Sequence, residues 1–455
     1  MKILLISLVK GFIRAEKPGK PKGTVFFRFP SLALANLAAL TPEDDEIIVA
    51  DEQISPVNYD INADLVAITV NTSVANRAYE IARQFRKRGK KVVLGGLHPS
   101  LMPDEALKFA DAIIIGDAEG QWQQLLKDFK NKKLKRKYVN KQTATLKLPT
   151  PEWEIFKNMG YINYNFVEAT RGCIHRCSFC STSPFYYFRH RTRPIEDVIR
   201  DVKKVQTFPK KFIFFVDDNI IGNKEYAKKL FRALIPFHIC WVGQATVDIG
   251  EDPELVELAA KSGCIAIFLG FESLSEKNLN AVGKKHNHMD SYKRTVKLLH
   301  KNGIGIEAGF VFGLDYDDKG IFKKTLDFLL ETDMDAFISL YLTPIPGTKL
   351  YDDFKKQNRL LTKDYSKYDF RHAVVKPKGM TTKELYDGIS WLTKEFYTRR
   401  RVFRRVRYKT ADFLTHPHLR ILIGVIAQVA FSLASRKRLK DYSVDGTFPA
   451  SFRNI

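Results

Sequence analysis

The sequence predicts an α/β protein: a doubly wound parallel sheet, then a second, curved parallel sheet of repeated strand–helix units, then a mainly helical C-terminal extension. Three observations carry that reading. Short apolar runs alternate with amphipathic segments from residue 1 to about residue 129, the pattern of buried strands separated by covering helices. From residue 164 to about 373 the alternation resumes with a different period, in six units, and repeated strand–helix units imply parallel strands joined by right-handed crossovers. Residues 376–455 do not continue it.

In the first domain, residues 1–129, strands are expected at 2–8, 46–51, 65–70, 91–95 and 112–116. The opening apolar run is shorter than a signal-peptide core and lacks a small-residue cleavage site after it, so it reads as a buried strand. Helices are expected at 31–40 and 73–88, the second running out into Lys87-Arg88-Gly89-Lys90-Lys91, basic residues and a glycine where a helix stops. In such a sheet a ligand sits beyond the carboxyl ends of the strands. Three of those ends carry suggestive groups: Asp51-Glu52-Gln53, Thr69-Val70-Asn71-Thr72-Ser73 and Gly95-Gly96-Leu97-His98-Pro99. Paired glycines after a strand let a ligand approach the backbone closely. Residues 130–160 begin with a Lys- and Arg-rich stretch of little apolar periodicity and read as an exposed basic linker.

In the second domain, residues 161–375, strands are expected at 165–169, 212–216, 240–245, 265–270, 304–312 and 337–342, with helices at 195–205, 224–234, 253–262, 290–301, 320–331 and 349–357. Immediately after the first strand comes Arg171-Gly172-Cys173-Ile174-His175-Arg176-Cys177-Ser178-Phe179-Cys180, which holds three of the chain's five cysteines in a C-x3-C-x2-C spacing. Thiolates are soft ligands that select iron–sulfur clusters or zinc, and a structural zinc takes four Cys or His ligands. Two readings follow from the residues: a four-iron cubane with one iron left open, or a zinc site completed by His175 or His190. A disulfide framework fits less well, because three clustered cysteines cannot pair evenly. Cys240 and Cys264 fall at strand starts, away from the strand ends where chemistry gathers, and read as core. So few cysteines, so clustered, point to a reducing, cytoplasmic compartment.

The cysteine spacing, Phe179 before the last cysteine and Arg171-Gly172 before the first resemble the signature of the radical S-adenosylmethionine (SAM) enzymes. The resemblance implies a partial (β/α)6 barrel and a [4Fe-4S] cluster on Cys173, Cys177 and Cys180. Its open iron would bind SAM, and electron transfer from a donor such as flavodoxin or ferredoxin would cleave SAM to a 5'-deoxyadenosyl radical. It also implies SAM contacts from strand ends: Asp217 in Asp217-Asp218-Asn219, Gln244, and Glu272 in Gly270-Phe271-Glu272-Ser273, with Phe179 near the adenine. Most of the first 125 residues resemble the cobalamin-binding domain that precedes the barrel in one branch of that family. The likeness runs through Val49-Ala50-Asp51-Glu52-Gln53, the strand end at Thr69 to Thr72, Gly95-Gly96-Leu97-His98-Pro99, Pro103-Asp104-Glu105 and Gly116-Asp117-Ala118-Glu119. Thr72, Gly95, Gly96 and His98 are the cobalamin contacts it implies. The chain departs from the branch in having no Asp-x-His-x-x-Gly, so cobalamin is expected base-off without a histidine ligand.

The formal net charge of +23 invites nucleic acid, anionic lipid or acidic substrates, and its placement in the C-terminal extension, residues 376–455, decides among them. A helical pattern over 390–406 interleaves Trp391, Phe396, Tyr397 and Phe403 with Arg399-Arg400-Arg401, Arg404 and Arg405, and the apolar stretch 421–434 is flanked by cations. That stretch falls short of the roughly 20 residues a spanning helix needs. It is expected to lie in the plane of an anionic membrane surface, or else to cover the open side of the barrel. No RNA-binding module is recognisable, which argues against nucleic acid. The function expected is cobalamin-dependent methylation of an unactivated carbon of an apolar substrate, first of all a hopanoid or other isoprenoid lipid. The other readings are a radical SAM cyclase or carbon–carbon bond-forming enzyme, a methylthiotransferase or nucleic-acid modifier without cobalamin, and a non-enzymatic corrinoid or redox sensor.

Overall fold

Two parallel sheets organise the chain in this computed structural model, which describes residues 1–9, 29–140, 146–161, 165–205, 212–403 and 405. The first contains β1 (Lys2–Ser7), β2 (Glu46–Asp51), β3 (Leu65–Thr69), β4 (Lys91–Gly95), β5 (Ala112–Ile115) and β6 (Lys137–Val139), in the order β2-β1-β3-β4-β5-β6. Alternate residues bury opposite faces. Leu4, Ile6, Val66, Ile68, Val92 and Leu94 pack under the helix Ala75–Lys87. Ile3, Leu5, Leu65, Ala67 and Val93 pack against Leu34 of the helix Leu32–Ala39 and Trp122 of the helix Gln121–Lys130. Burial on both faces is why these strands are near-continuous apolar runs.

β6 lies inside the segment 130–160, read from sequence as an exposed linker. Its Tyr138 is buried and donates to Asp128 at 3.0 Å, so one inward aromatic recruits a basic stretch to the sheet edge while Lys137 and Val139 stay exposed.

The second sheet contains β7 (Asn165–Val167), β10 (Phe212–Phe215), β11 (Cys240–Ala245), β12 (Cys264–Glu272), β13 (Gly305–Phe312) and β14 (Ala336–Tyr341), all parallel and in consecutive order from β7 to β14. Trp241, Ile267, Leu269 and Phe310 face the helices that cover its outside. The half-buried Val242, Phe268, Ile338 and Leu340 alternate with the outward set and so face the lumen. Between β7 and β10, a two-stranded antiparallel ribbon of β8 (Thr170–Gly172) and β9 (His190–Thr192) carries the cysteine loop. The strand expected over 165–169 ends at Val167 because the next donors, Ala169 N and Thr170 N, go to the Asp217 carboxylate instead of a neighbouring strand.

The C-terminal helix Thr382–Phe396 opens with a Thr381–Glu384 capping box. Its Ile389, Leu392 and Phe396 are fully buried in the core of the second domain, and Tyr397 hydroxyl donates to Phe337 O at 3.0 Å. This corrects the basic and aromatic face expected over 390–406: Phe396 and Tyr397 are core, while Trp391 and Phe403 are exposed. The apolar stretch 421–434 lies outside the described residues. Among those described, no helix is long and apolar enough to cross a membrane.

Candidate functional site

The cysteine loop is fastened at its entry and in its middle. Gly172 N donates to Asp218 Oδ2 (3.0 Å), Ser178 N to Val282 O (2.9 Å), and Leu350 N to Ser178 O (3.3 Å). Gly172 is required where it stands: its φ is +86° and a Cβ would sit 2.1 Å from Arg189 O. Cys173, Cys177 and Cys180 are half-buried free thiols. Burial pushes the Cys173 thiol up and the Cys177 thiol up to about 12. Phe179 packs against the apolar cluster of Val282, Leu342 and Ile345.

The carboxylates expected to meet SAM are engaged within the protein. Asp217 is fully buried and accepts from Ala169 N at 3.1 Å and from Thr170 N; burial, against those bonds, pushes it up to about 7. It is a strut under the entry to the cysteine loop. Glu272 sits at a bulge in β12 with φ +61° and pairs with the buried Lys284 at 2.5 Å. Sequence reasoning missed Lys284, which lies in a short connector without periodicity; its ammonium is held charged by Glu272 and Cys177 against the cost of burial. Gln244, at the end of β11, is exposed.

Several polar atoms by the loop lack hydrogen-bond partners, among them the buried Asn219 Oδ1 and His286 Nε2. His286 stacks on His175 at 3.5 Å between ring centroids, and burial, then His175 and Lys284, push it down to about 3. His190 Nε2 is taken by Asn219 O at 3.0 Å. Among the described residues no three His, Cys, Asp or Glu side chains converge on a single ion. The zinc alternative needs that convergence, whereas a cubane takes each thiolate on a different iron.

A cleft of about 170 Å³ opens at the carboxyl ends of β3, β4 and β5. Thr69, Gly95, Gly96 and Gly116 form its edge, Asn36, Leu37 and Trp122 its covering side, and Asp117, Glu119, Arg171 and Tyr186 its wall toward the second domain. It lies close to the β1/β3 reversal of strand order, where doubly wound sheets take ligands. Gly96 has φ +98° and a Cβ there would crowd Val70 N at 3.1 Å.

His98 and Thr72, expected beside cobalamin, do not line this cleft. His98 is fully buried, its Nδ1 3.2 Å from Thr72 Oγ1 and its Nε2 3.0 Å from Tyr79 hydroxyl and 3.4 Å from Glu105 Oε1. Tyr365 of the second domain packs edge-on to its ring and donates to Glu105 at 2.7 Å. This pair belongs to a buried polar joint between the domains, and no histidine among the described residues lines the cleft.

Residues 167–329 match the Radical SAM superfamily and residues 23–126 the B12 binding domain. The bacteriochlorophyllide d C-12(1)-methyltransferase of Chlorobaculum tepidum is 32% identical over 77% of this chain and 78% of its own. The bacteriochlorophyllide d C-8(2)-methyltransferase of the same organism is 30% identical over 90% and 93%. The chain belongs to the cobalamin-dependent radical SAM methyltransferases. Its fold is also that of the cobalamin-dependent SAM radical enzyme OxsB, solved with aqua-cobalamin and SAM bound: the TM-score is 0.67 at 15% identity, over 96% of this chain and 72% of that one. The enzyme's cofactors are therefore a [4Fe-4S] cluster, SAM and cobalamin. The residues present fit them: three thiols on one loop beside a buried ammonium, unbonded polar atoms next to it, and a cleft whose glycine edge admits a ligand to the backbone.

Proposed function

We propose that the enzyme transfers a methyl group to an unactivated carbon of an apolar substrate held in the barrel lumen, with Cys173, Cys177 and Cys180 holding the cluster and the cleft holding cobalamin. The observation that carries this reading is that the two sites share a wall: Arg171 and Tyr186 line the cleft, and Arg171 stands two residues before Cys173. When bound, the cluster and SAM supply hydrogen-atom abstraction and the corrinoid supplies the methyl group.

The chain's own residues place and insulate these groups. Lys284 sets a positive charge beside the cysteines, which offsets part of the negative charge of three thiolates. Asn219 Oδ1, His286 Nε2 and Gln244 offer hydrogen bonds to the polar end of SAM, while Asp217 and Glu272 hold the backbone and Lys284 in place. Val242, Phe268, Ile338 and Leu340 line the lumen with apolar surface that displaces water and suits an apolar substrate. The names of the two relatives favour a tetrapyrrole over the lipid expected from the sequence. Contact with an anionic membrane surface is supported by the exposure of Trp391, Phe403, Arg399 and Arg400, and flavodoxin or ferredoxin is the donor proposed.

The test uses anaerobically reconstituted enzyme, reductant and SAM carrying a deuterated methyl group. One arm supplies tetrapyrroles and the other isoprenoid lipids in anionic vesicles, and products are weighed by mass spectrometry. A deuterated methyl on a tetrapyrrole is the expected result. A substrate changed by ring closure, with no label gained, overturns methyl transfer; label on the lipid alone overturns the tetrapyrrole.

A further inference from the structure

The loop after β5 forms one wall of the cleft and the entry to the cysteine loop forms another, and the two meet on one guanidinium. Arg171 is 7% exposed. It grips Glu168 through two bonds, Nε to Oε1 at 2.7 Å and NH2 to Oε2 at 2.9 Å. Through NH1 it reaches Glu119 Oε1 at 2.9 Å and Asp117 Oδ1 at 3.3 Å. Asp117 also takes Arg191 of β9 at 2.5 Å. Three carboxylates thus face two guanidiniums, and one acceptor is left over: Glu119 Oε2 is buried without a hydrogen-bond partner, in a residue that lines the cleft. A buried acceptor without a donor is unfavourable, so the site favours a ligand that brings an N–H. The amide groups around a corrinoid ring are donors of that kind.

We infer that Glu119 accepts a hydrogen bond from the corrinoid in the cleft and that Arg171 is a positioning residue that carries this contact to the cysteine loop, so that the cobalamin and cluster sites are coupled. The inference rests on cobalamin occupying the cleft. The fork geometry makes the transmission directional: a shift of Glu119 toward a ligand moves the shared NH1, and the planar guanidinium is pinned on its other side by Glu168. The next residue, Gly172, has no room to absorb the movement by repacking, since even a Cβ would strike Arg189 O. The displacement therefore reaches Cys173. Coupling of this kind is reciprocal, so a loop ordered by its cluster binds corrinoid more tightly and bound corrinoid protects the cluster.

The experiment titrates hydroxocobalamin into the full chain, with and without its cluster, and separately follows cluster release to a chelator with and without hydroxocobalamin. The cluster should tighten hydroxocobalamin binding on the order of tenfold in the wild type, and hydroxocobalamin should slow cluster release. In Glu119→Gln, which preserves the side chain's size, the affinity ratio should fall close to one while the chain still folds and keeps its cluster. Arg171→Lys keeps the charge and loses the fork, and should behave alike; if it fails to fold, Glu119→Gln still decides. Tight binding with a ratio of one in the wild type, or the full ratio persisting in Glu119→Gln, overturns the coupling. No binding of hydroxocobalamin by any form overturns the corrinoid site itself.

Discussion

Cutting the chain after Val375 separates two views of its basic end. The cut removes Leu385, Ile389, Leu392 and Phe396, each at most 2% exposed, together with the Tyr397 hydroxyl bonded to Phe337. Fully burying a large apolar side chain contributes about 1.5–3 kcal/mol, so these residues account for roughly 6–12 kcal/mol. Domains of this kind have a net stability of about 5–15 kcal/mol, and the truncated chain should therefore lose the second domain's cooperative urea transition by circular dichroism. Leu392→Ala, a point version of the same test, should cost about 2–5 kcal/mol. A chain ending at Val375 that unfolds with the full chain's midpoint would refute the assignment of this helix to the core and return it to a membrane role.

Three other outcomes follow from buried polar groups near the two sites. Asp217 is held at about 7, above the ordinary 3.8, so its contribution is fully present below the unfolded value and is lost as pH rises through about 7. The wild type should lose roughly 3 kcal/mol between pH 5 and pH 9 from this group, and Asp217→Asn should flatten that slope in urea midpoints; parallel profiles would contradict it. His98→Ala leaves Thr72, Tyr79 and Glu105 short of a partner and should cost about 1–3 kcal/mol while the bound corrinoid spectrum stays the same, whereas a spectral change would make His98 a ligand after all. Lys284→Ala removes a positive charge beside Cys177 and leaves Glu272 buried and unpaired, so it should cost roughly 3–5 kcal/mol of stability and lower the cluster's reduction potential; an unchanged potential in a folded variant would sink the placement of Lys284.

The strands and the cysteine loop were legible because each leaves a local mark. A strand buried on both faces must be an apolar run, as 65–69 and 91–95 are, and three thiolates for one cluster fit on one short loop. The contacts that Asp217, Glu272 and His98 make within the protein were not legible. An acidic residue after a strand looks the same whether it awaits a ligand or holds a turn, and only the fold brings Asp217 to the backbone of Ala169, 48 positions away. Lys284 meets the cysteines across more than a hundred residues and carries no periodic signal. β6 was hidden because the sheet-edge position requires one inward aromatic, Tyr138, in an otherwise polar stretch. Asp117 and Glu119, two of the carboxylates that grip Arg171, lie in the recognisable stretch 116–119, but their pairing with the entry to the cysteine loop exists only in three dimensions.

The most direct test of the account compares the wild type with the variant in which Cys173, Cys177 and Cys180 are all replaced by Ala, both purified without oxygen and supplied with hydroxocobalamin, SAM and reductant. Iron, corrinoid and 5'-deoxyadenosine are measured on the same samples. The account predicts an oxygen-sensitive [4Fe-4S] spectrum, stoichiometric corrinoid and reductant-dependent 5'-deoxyadenosine in the wild type, and retained corrinoid without cluster or 5'-deoxyadenosine in the variant. A variant that still cleaves SAM, or a wild type that carries zinc in place of iron, would contradict it.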